Sequence, residues 1–225
     1  MVLKAIEIFV NYISDFNSYE KLFLCRDKDL DFTPLKRNIK MLCPKAQIVG
    51  ISPNCYGPLF SLTNIFNEIQ DDQKLCITYI DNIQKLSLNQ LELNFTDSDG
   101  GVLVHGLSHP HWRTNQYYCL VKHNDALDCE EVIEKFNFSN LSFDDSKNCS
   151  GSNGTYYIKN GALFKKYARK ILGEKNSING EYYVTQIFHE MIKDGLKVKA
   201  WYVPYVSFGI PDDVNDFIFW SNWFK

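Results

Sequence analysis

The chain has no apolar run approaching the roughly 20 residues that a bilayer-spanning helix needs, which argues against membrane insertion. It also lacks a basic excess: 24 Lys and Arg stand against 27 Asp and Glu, a net charge of −3. Without surplus cations a phosphate backbone goes unneutralised, so nucleic acid is not the expected partner. Neither G-x-G-x-x-G nor G-x-x-x-x-G-K-[ST] occurs, and these are the loops that lay backbone amides against a phosphate at a helix N-terminus. G-x-S-x-G is missing, and with it the local signature of a hydrolase nucleophile. The 7 cysteines are odd in number and none form C-x-x-C, which speaks against a disulfide framework and for a reduced, cytoplasmic compartment. There is no internal repeat and no domain-length linker.

What is present suits one sizeable core: 225 residues, 45% hydrophobic and 15% aromatic. Val2, Ile6, Phe9, Val10 and Ile13 recur at helical spacing and predict a helix over 2–13. KLFLC (21–25) reads as a strand, Pro34 opens a second helix, and AQIVGIS (46–52) is another strand. Leu59, Leu62, Ile65, Phe66 and Ile69 share one helical face after a Tyr56-Gly57-Pro58 turn. A strand over 74–80 then ends at Asp81. Strands alternating with helices predict a parallel sheet covered on both faces, whose ligands bind beyond the carboxyl ends of the strands. The second half offers strands at 100–107, 116–124, 130–136, 154–161 and 197–209, helices at about 162–172 and 181–194, and a long polar loop over 137–153.

Several residues could carry chemistry. Asp81 is either a turn or cap residue or a divalent-metal ligand. One carboxylate plus substrate phosphates is a sufficient set for Mg2+. Glu134-Lys135 closes a strand with an acid beside a base; neighbours on a strand face opposite ways, so a simple pair is not expected. His109, His111 and His123 lack the four convergent ligands of structural zinc and read as ordinary loop residues. The tail DFIFWSNWF reads as an aromatic docking helix.

Taken in order, six segments resemble the sugar-nucleotide nucleotidyltransferases, in particular the capsule and surface-polysaccharide branch. YGPLFSLTNIF is similar to that family's glycine turn beside the nucleobase, and CITYID to its strand ending in a metal-binding Asp. HPHW with EEVIEKF, GSNGTYYIKNGALFKKY, NGEYYVTQIFHEMIKDGLKVKAWYV and FGIPDDVNDFIFWSNWF are similar to its sugar-side and C-terminal segments. The resemblance implies an α/β fold, the nucleotide-diphospho-sugar transferase (Rossmann-like) three-layer sandwich with a mixed central sheet. It implies a single domain over 1–225, with 1–95 on the nucleotide side and 96–225 on the sugar side with the C-terminal helix.

It also implies a Mg2+-dependent reaction of a nucleoside triphosphate with a sugar 1-phosphate, giving a nucleotide sugar and pyrophosphate. Asp81 would hold Mg2+, Lys135 would face phosphate, and Gly57 and Pro58 would border the base. Glu134 would bind sugar hydroxyls, Gly154 and Thr155 would line the sugar pocket, and Glu181 and Tyr182 would form its rim. A homo-oligomeric state stays open. The family opens on a strand and a Gly-rich loop that grips the triphosphate. The present sequence begins at the helix after that element, so the first strand of the sheet is expected to be missing, with unpaired edges on both of its neighbours. Ser207 stands where many relatives carry a second metal-binding Asp. A non-catalytic homologue, or a glycosyltransferase of the same fold, are the alternatives. The latter normally requires Asp-x-Asp, where this chain has Asp81-Asn82-Ile83.

Overall fold

The computed structural model describes residues 18–106, 117–137, 147–209 and 211–223. The helix expected over 2–13, the HPHW histidines His109 and His111, and residues 138–146 of the polar loop lie outside them.

The first strand, β1 (Leu22–Arg26), leads into two short helices, α1 (Asp27–Phe32) and α2 (Leu35–Leu42). Pro34 caps α2. Strand β2 (Gln47–Ile51) pairs with β1 in parallel. The Tyr56-Gly57-Pro58 turn opens α3 (Pro58–Leu62), which tightens into a 3-10 turn, Thr63–Ile65. The expected helical face is therefore not one continuous helix. Even so, Leu59, Leu62, Ile65, Phe66 and Ile69 all reach the same core.

Next come β3 (Leu75–Thr78), β4 (Asn82–Gln84) and α4 (Leu88–Asn94). They are followed by β5 (Gly100–His105), β6 (Tyr117–His123), β7 (Cys129–Asn137) and β8 (Cys149–Ile158). Helices α5 (Gly161–Gly173) and α6 (Thr185–Lys193), strands β9 (Val198–Tyr202) and β10 (Tyr205–Ser207), and helix α7 (Pro211–Trp223) complete the chain.

The sheet is mixed rather than parallel. Its main body runs β7-β6-β8-β5-β9, and β3 lies antiparallel to β8. Among the described residues, only β1–β2 and β5–β9 pair in parallel. Pro204, which has no amide hydrogen, divides the expected 197–209 strand into β9 and β10. β10 turns away to pair with β4. Strand β8 begins at Cys149, five residues earlier than its sequence suggested, because CSGSN is too polar to read as a strand.

Two apolar layers cover the sheet. One holds Phe164, Tyr167 and Ile171 of α5, Ile187, Phe188 and Met191 of α6, and the inward side chains Val102, Val104, Tyr156 and Ile158. The other holds Ile39 of α2, Leu91 of α4, Phe95, Leu103 and Tyr157. Strand β1 obeys the same alternation: Leu22 and Leu24 pack into the first core, and Phe23 and Cys25 into the second. The β1–β2 pair is therefore part of the same layer as the main sheet. Yet among the described residues no strand joins β1 to β3, and β3 is paired on its β8 side alone. Leu75 and Ile77 of β3 reach the first core. Cys76, which a buried strand would cover, is instead exposed to solvent, even though the protein around it pushes its thiol up to about 12. Among the described residues the layer is interrupted between β1 and β3.

Candidate active site

The residues expected from sequence fall into three groups. The first is the Gly57 turn. Gly57 has φ +85° and ψ 179°, a combination that essentially only glycine adopts. It lies flat on the backbone of Tyr182: a side chain there would sit 2.7 Å from the Tyr182 carbonyl oxygen. The Tyr182 amide donates to the Tyr56 carbonyl (2.8 Å), and the Leu59 amide donates back to the Tyr182 carbonyl (2.9 Å). Gly57 and Pro58 are thereby clamped to Glu181 and Tyr182, two segments 124 residues apart in sequence joining through backbone alone.

The second group surrounds Glu134. The register of β6 and β7 shifts here, and Lys135 takes φ +56°. A non-glycine residue in this region is uncommon, and it marks a bulge that breaks the simple up-and-down alternation. Glu134 turns toward the start of α6, where the Thr185 hydroxyl donates to it. Burial raises the Glu134 carboxyl above its ordinary range. The Thr185 hydroxyl, the Lys135 amide (3.3 Å) and the Lys135 ammonium partly oppose that rise. The Lys135 ammonium lies 5.1 Å from the centre of the Tyr183 ring, and the Tyr183 hydroxyl donates to Glu181.

The third group surrounds Asp81. This residue does not end β3; it stands three residues beyond Thr78, in the turn before β4. Its carbonyl accepts from the Phe208 amide (2.7 Å). Its carboxylate is exposed beside Gly209, and the surrounding protein raises it by desolvation. Next to it, the Gly154 backbone approaches so closely that a side chain would meet the Tyr79 ring at 2.9 Å and the Asn82 amide at 3.1 Å. Thr155 is buried. Its hydroxyl is held by Thr78 (2.7 Å) and by the Gln84 amide (2.6 Å), so it braces β3 and β4 against β8.

Tyr79 connects the second and third groups. Its hydroxyl is raised well above the ordinary range, mainly by burial and then by the charges of Glu134 and Asp81. The first two groups touch through Tyr183, which donates to Glu181 and lies under the Lys135 ammonium. Sequence reasoning missed Tyr79, Tyr183, Thr185, Gln84 and Asn153. Asn153 is 1% exposed, and neither its amide nitrogen nor its amide oxygen has a partner; the Gln84 amide oxygen also has none. Buried polar atoms without partners are rare and call for a ligand or water. The S-N-G-T spacing held the signal, an Asn next to a strained Gly, but nothing local marks it as buried.

Among the described residues no three His, Cys, Asp or Glu side chains cluster as a metal cage. His123 is bound to the Ser150 hydroxyl (2.9 Å) and the Tyr202 hydroxyl (3.1 Å). Asp81 offers a single exposed carboxylate, which fits a hard cation that takes its remaining ligands from substrate phosphates and water. A hollow of about 470 Å³ elsewhere, lined by Phe66, Asp71, Lys165 and Arg169 among others, contains none of these residues. It pairs its own charges through Lys165 and Asp71 (2.8 Å).

The mixed sheet, covered on each face by an apolar layer, is a Rossmann-like α/β sandwich. No protein-family profile matches the sequence, and no curated protein matches it either. Among solved structures, the nucleoside-diphosphate-sugar pyrophosphorylase of Vibrio cholerae RC9 superposes over 97% of this chain and 87% of its own, with TM-score 0.72 and 16% identity. A UDP-glucose pyrophosphorylase complexed with UDP-glucose covers 97% and 87% (TM-score 0.65, 12% identity). The inositol-1-phosphate CTP transferase of T. maritima covers 97% and 80% (TM-score 0.64, 11% identity). These likenesses are of fold. No helix among the described residues is long and apolar enough to cross a membrane.

Proposed function

We propose that this protein is a sugar-phosphate nucleotidyltransferase, acting in the synthesis of a surface polysaccharide. What supports the reading is the fold shared with pyrophosphorylases of sugar nucleotides, together with the linked Gly57, Glu181-Tyr183 and Glu134-Lys135 contacts and the influence of both Glu134 and Asp81 on Tyr79. In the proposed reaction a phosphate oxygen of the sugar 1-phosphate attacks the α-phosphorus of a nucleoside triphosphate. The bond from the α-phosphorus to the bridging oxygen breaks, and pyrophosphate leaves with the electron pair. The attacking oxygen is already anionic, so no general base is required. Asp81 would hold Mg2+, which when bound supplies neutralisation of the charge that gathers at phosphorus.

The remaining work is positioning. Glu134 accepts from sugar hydroxyls, held in place by Thr185. Lys135 lies close enough to Tyr183 to be oriented by the ring face while its ammonium meets phosphate. Gly57 lets the base approach the backbone. Asn153 and Gln84 offer polar atoms that a bound sugar or its water would satisfy.

The test is a pyrophosphate-release screen with Mg2+, pairing CTP, GTP, UTP and dTTP with sugar 1-phosphates. It is run on this chain and on one extended at its N-terminus by the codons read in frame upstream. Release that disappears in Asp81→Ala, with melting unchanged, supports the assignment. Turnover unchanged in that variant refutes the role of Asp81.

A further inference from the structure

The strand that follows Asp81 is tied to the main sheet by one side chain. Among the described residues, β4 is three residues long and pairs by backbone with β10 alone. Its hydrogen bonds to β8 all leave the Gln84 amide nitrogen. That nitrogen faces the Asn153 carbonyl (3.3 Å), the Thr155 hydroxyl (2.6 Å) and the Asn82 side-chain oxygen (2.9 Å). An amide nitrogen has two hydrogens, so three acceptors share them. The other end of the same amide is bare. The Gln84 oxygen has no partner, and neither polar atom of the Asn153 side chain has one. Both residues are buried, at 6% and 1% exposure.

Bare polar atoms at this depth are rare in native proteins and mark a bound molecule. Of sugar and water, only water fits. The three atoms are closed to solvent, where a sugar ring does not reach. An ion would sit there without a countercharge, since the groups bonded to Gln84 belong to Asn82, Asn153 and Thr155, all neutral. Two acceptors and one donor are what water complements. The backbone opens at the same place. Between Val102 and Val104 the register with β8 jumps from Tyr156 to Ser152, so Asn153, Gly154 and Thr155 stand opposite Leu103 alone. Such a bulge lifts residues out of the ladder. We propose that ordered water fills the seam between β4 and β8, bonded to Asn153 and Gln84, and that Asn153 is thereby a positioning residue for the Asp81 turn.

The contacts run from the seam to Asp81 on both sides. Asn82 follows Asp81 directly, and its side-chain oxygen is held by Gln84. Thr78 lies three residues before Asp81, and its hydroxyl is bonded to Thr155 (2.7 Å). The Asp81 carbonyl accepts from the Phe208 amide, next to β10. The turn therefore hangs on Gln84 at one end and on Thr155 at the other, and both rest on the bulged part of β8. Water-mediated bonds are nearly as good as direct ones, so water in the seam fixes the bulge and the Gln84 amide together. Without it the amide is free to swing, and the turn moves with it. The consequence for a cation rests on the reading of Asp81 as its ligand.

Solution NMR on the full chain reads the water directly. The Asn153 side-chain amide protons should show a cross-relaxation peak at the water frequency, with the sign of a long-lived bound water. No such peak overturns the proposal. Asn153→Ala reads the positioning. With water bound, the variant melts lower, and its Phe208 amide exchanges with solvent about tenfold faster relative to that of Val102. With bare atoms, removing them leaves the melting temperature unchanged or raises it, which overturns the proposal. The control is Ile171→Val in α5, a core deletion that lowers melting without raising the Phe208 ratio. A ratio that rises equally in both variants overturns the positioning role. Titration of the nucleotide complex with Mg2+ separates this proposal from the reading of Asp81. Where wild type binds more tightly in Mg2+, Asn153→Ala should need about tenfold more of it, and an equal need overturns the positioning role. A wild type indifferent to Mg2+ would refute the reading of Asp81, with the water seam decided by the spectrum and the exchange rates. Should the variant fail to fold, the wild-type spectrum upholds or overturns the water site.

Discussion

Replacing Gly57 by alanine tests whether the turn and the Glu181-Tyr182 segment really form one clamp. A Cβ at this position would stand 2.7 Å from the Tyr182 carbonyl oxygen, 2.9 Å from the Tyr182 nitrogen and 3.0 Å from the Glu181 Cβ. Two of these three atoms are backbone, so no change of rotamer relieves the contact. The φ of +85° adds strain of about 1–3 kcal/mol for any L-residue. Moving the turn away instead sacrifices the two backbone hydrogen bonds between Tyr56, Leu59 and Tyr182, each worth about 0.5–1.5 kcal/mol. Together these give a loss of roughly 2–6 kcal/mol, a large share of the stability of an ordinary domain. Urea unfolding of wild type and variant measures it. Gly180→Ala is the control: Gly180 shares the φ of +85° but has nothing within 4 Å of its absent Cβ, so it isolates the conformational part at about 1 kcal/mol. A Gly57→Ala variant that loses less than its Gly180→Ala counterpart would refute the close approach, and with it the clamp.

Three further outcomes follow. Glu190 is buried and receives hydrogen bonds from Lys170 (2.8 Å) and Lys193 (3.1 Å). The Lys170 bond in particular holds its carboxyl below the ordinary value of 4.5. Its stabilisation is therefore present above that value and lost as pH falls below it. Glu190→Gln should cost about 1–3 kcal/mol at neutral pH and far less near pH 3, as read by urea titrations; an equal cost at both would sink the charge account. Glu134 is the opposite case. Burial raises its pKa, so ionisation costs stability that is retained at acidic pH and lost as pH rises through the folded value. Glu134→Gln should raise the melting temperature at neutral pH by a few degrees, on the order of 2–4 °C, while weakening sugar binding about tenfold or more; a lower melting temperature would contradict this. Desolvation pushes the Cys76 thiol up to about 12, so at pH 8 it should alkylate more slowly than free cysteine. Mass spectrometry after iodoacetamide treatment reads this, and alkylation at the rate of a free thiol would contradict it.

Much of this fold could be read from the chain because apolar periodicity survives burial. KLFLC, AQIVGIS and GGVLVH each hold a strand, and the Leu59-to-Ile69 face reaches the core even though the helix under it tightens after Leu62. Strand direction could not be read. Alternating strands and helices suggest a parallel sheet, but β3 finds its partner in β8, about 80 residues later, and runs against it. Periodicity carries no information about such long-range pairing. The site divides in the same way. Gly57, Asp81 and Glu134-Lys135 stand out as turn, strand-end acid and acid–base pair. Thr185 and Tyr79 look like ordinary helix-start and strand residues, and only the fold sets them against Glu134 and between the two carboxylates. The bulge that aims Glu134 rests on a left-handed lysine, which a Lys in a strand pattern does not announce.

The central claim is that Asp81 and Glu134 mark the metal end and the sugar end of one binding site. Isothermal titration with a panel of nucleoside diphosphate sugars, with and without Mg2+, tests it most directly on wild type, Asp81→Ala and Glu134→Gln. The account predicts that one panel member binds wild type more tightly in Mg2+. Asp81→Ala should lose that Mg2+ dependence, and Glu134→Gln should lose about tenfold or more in affinity for the nucleotide sugar while the free nucleotide binds as before. Binding that is indifferent to both substitutions would contradict it.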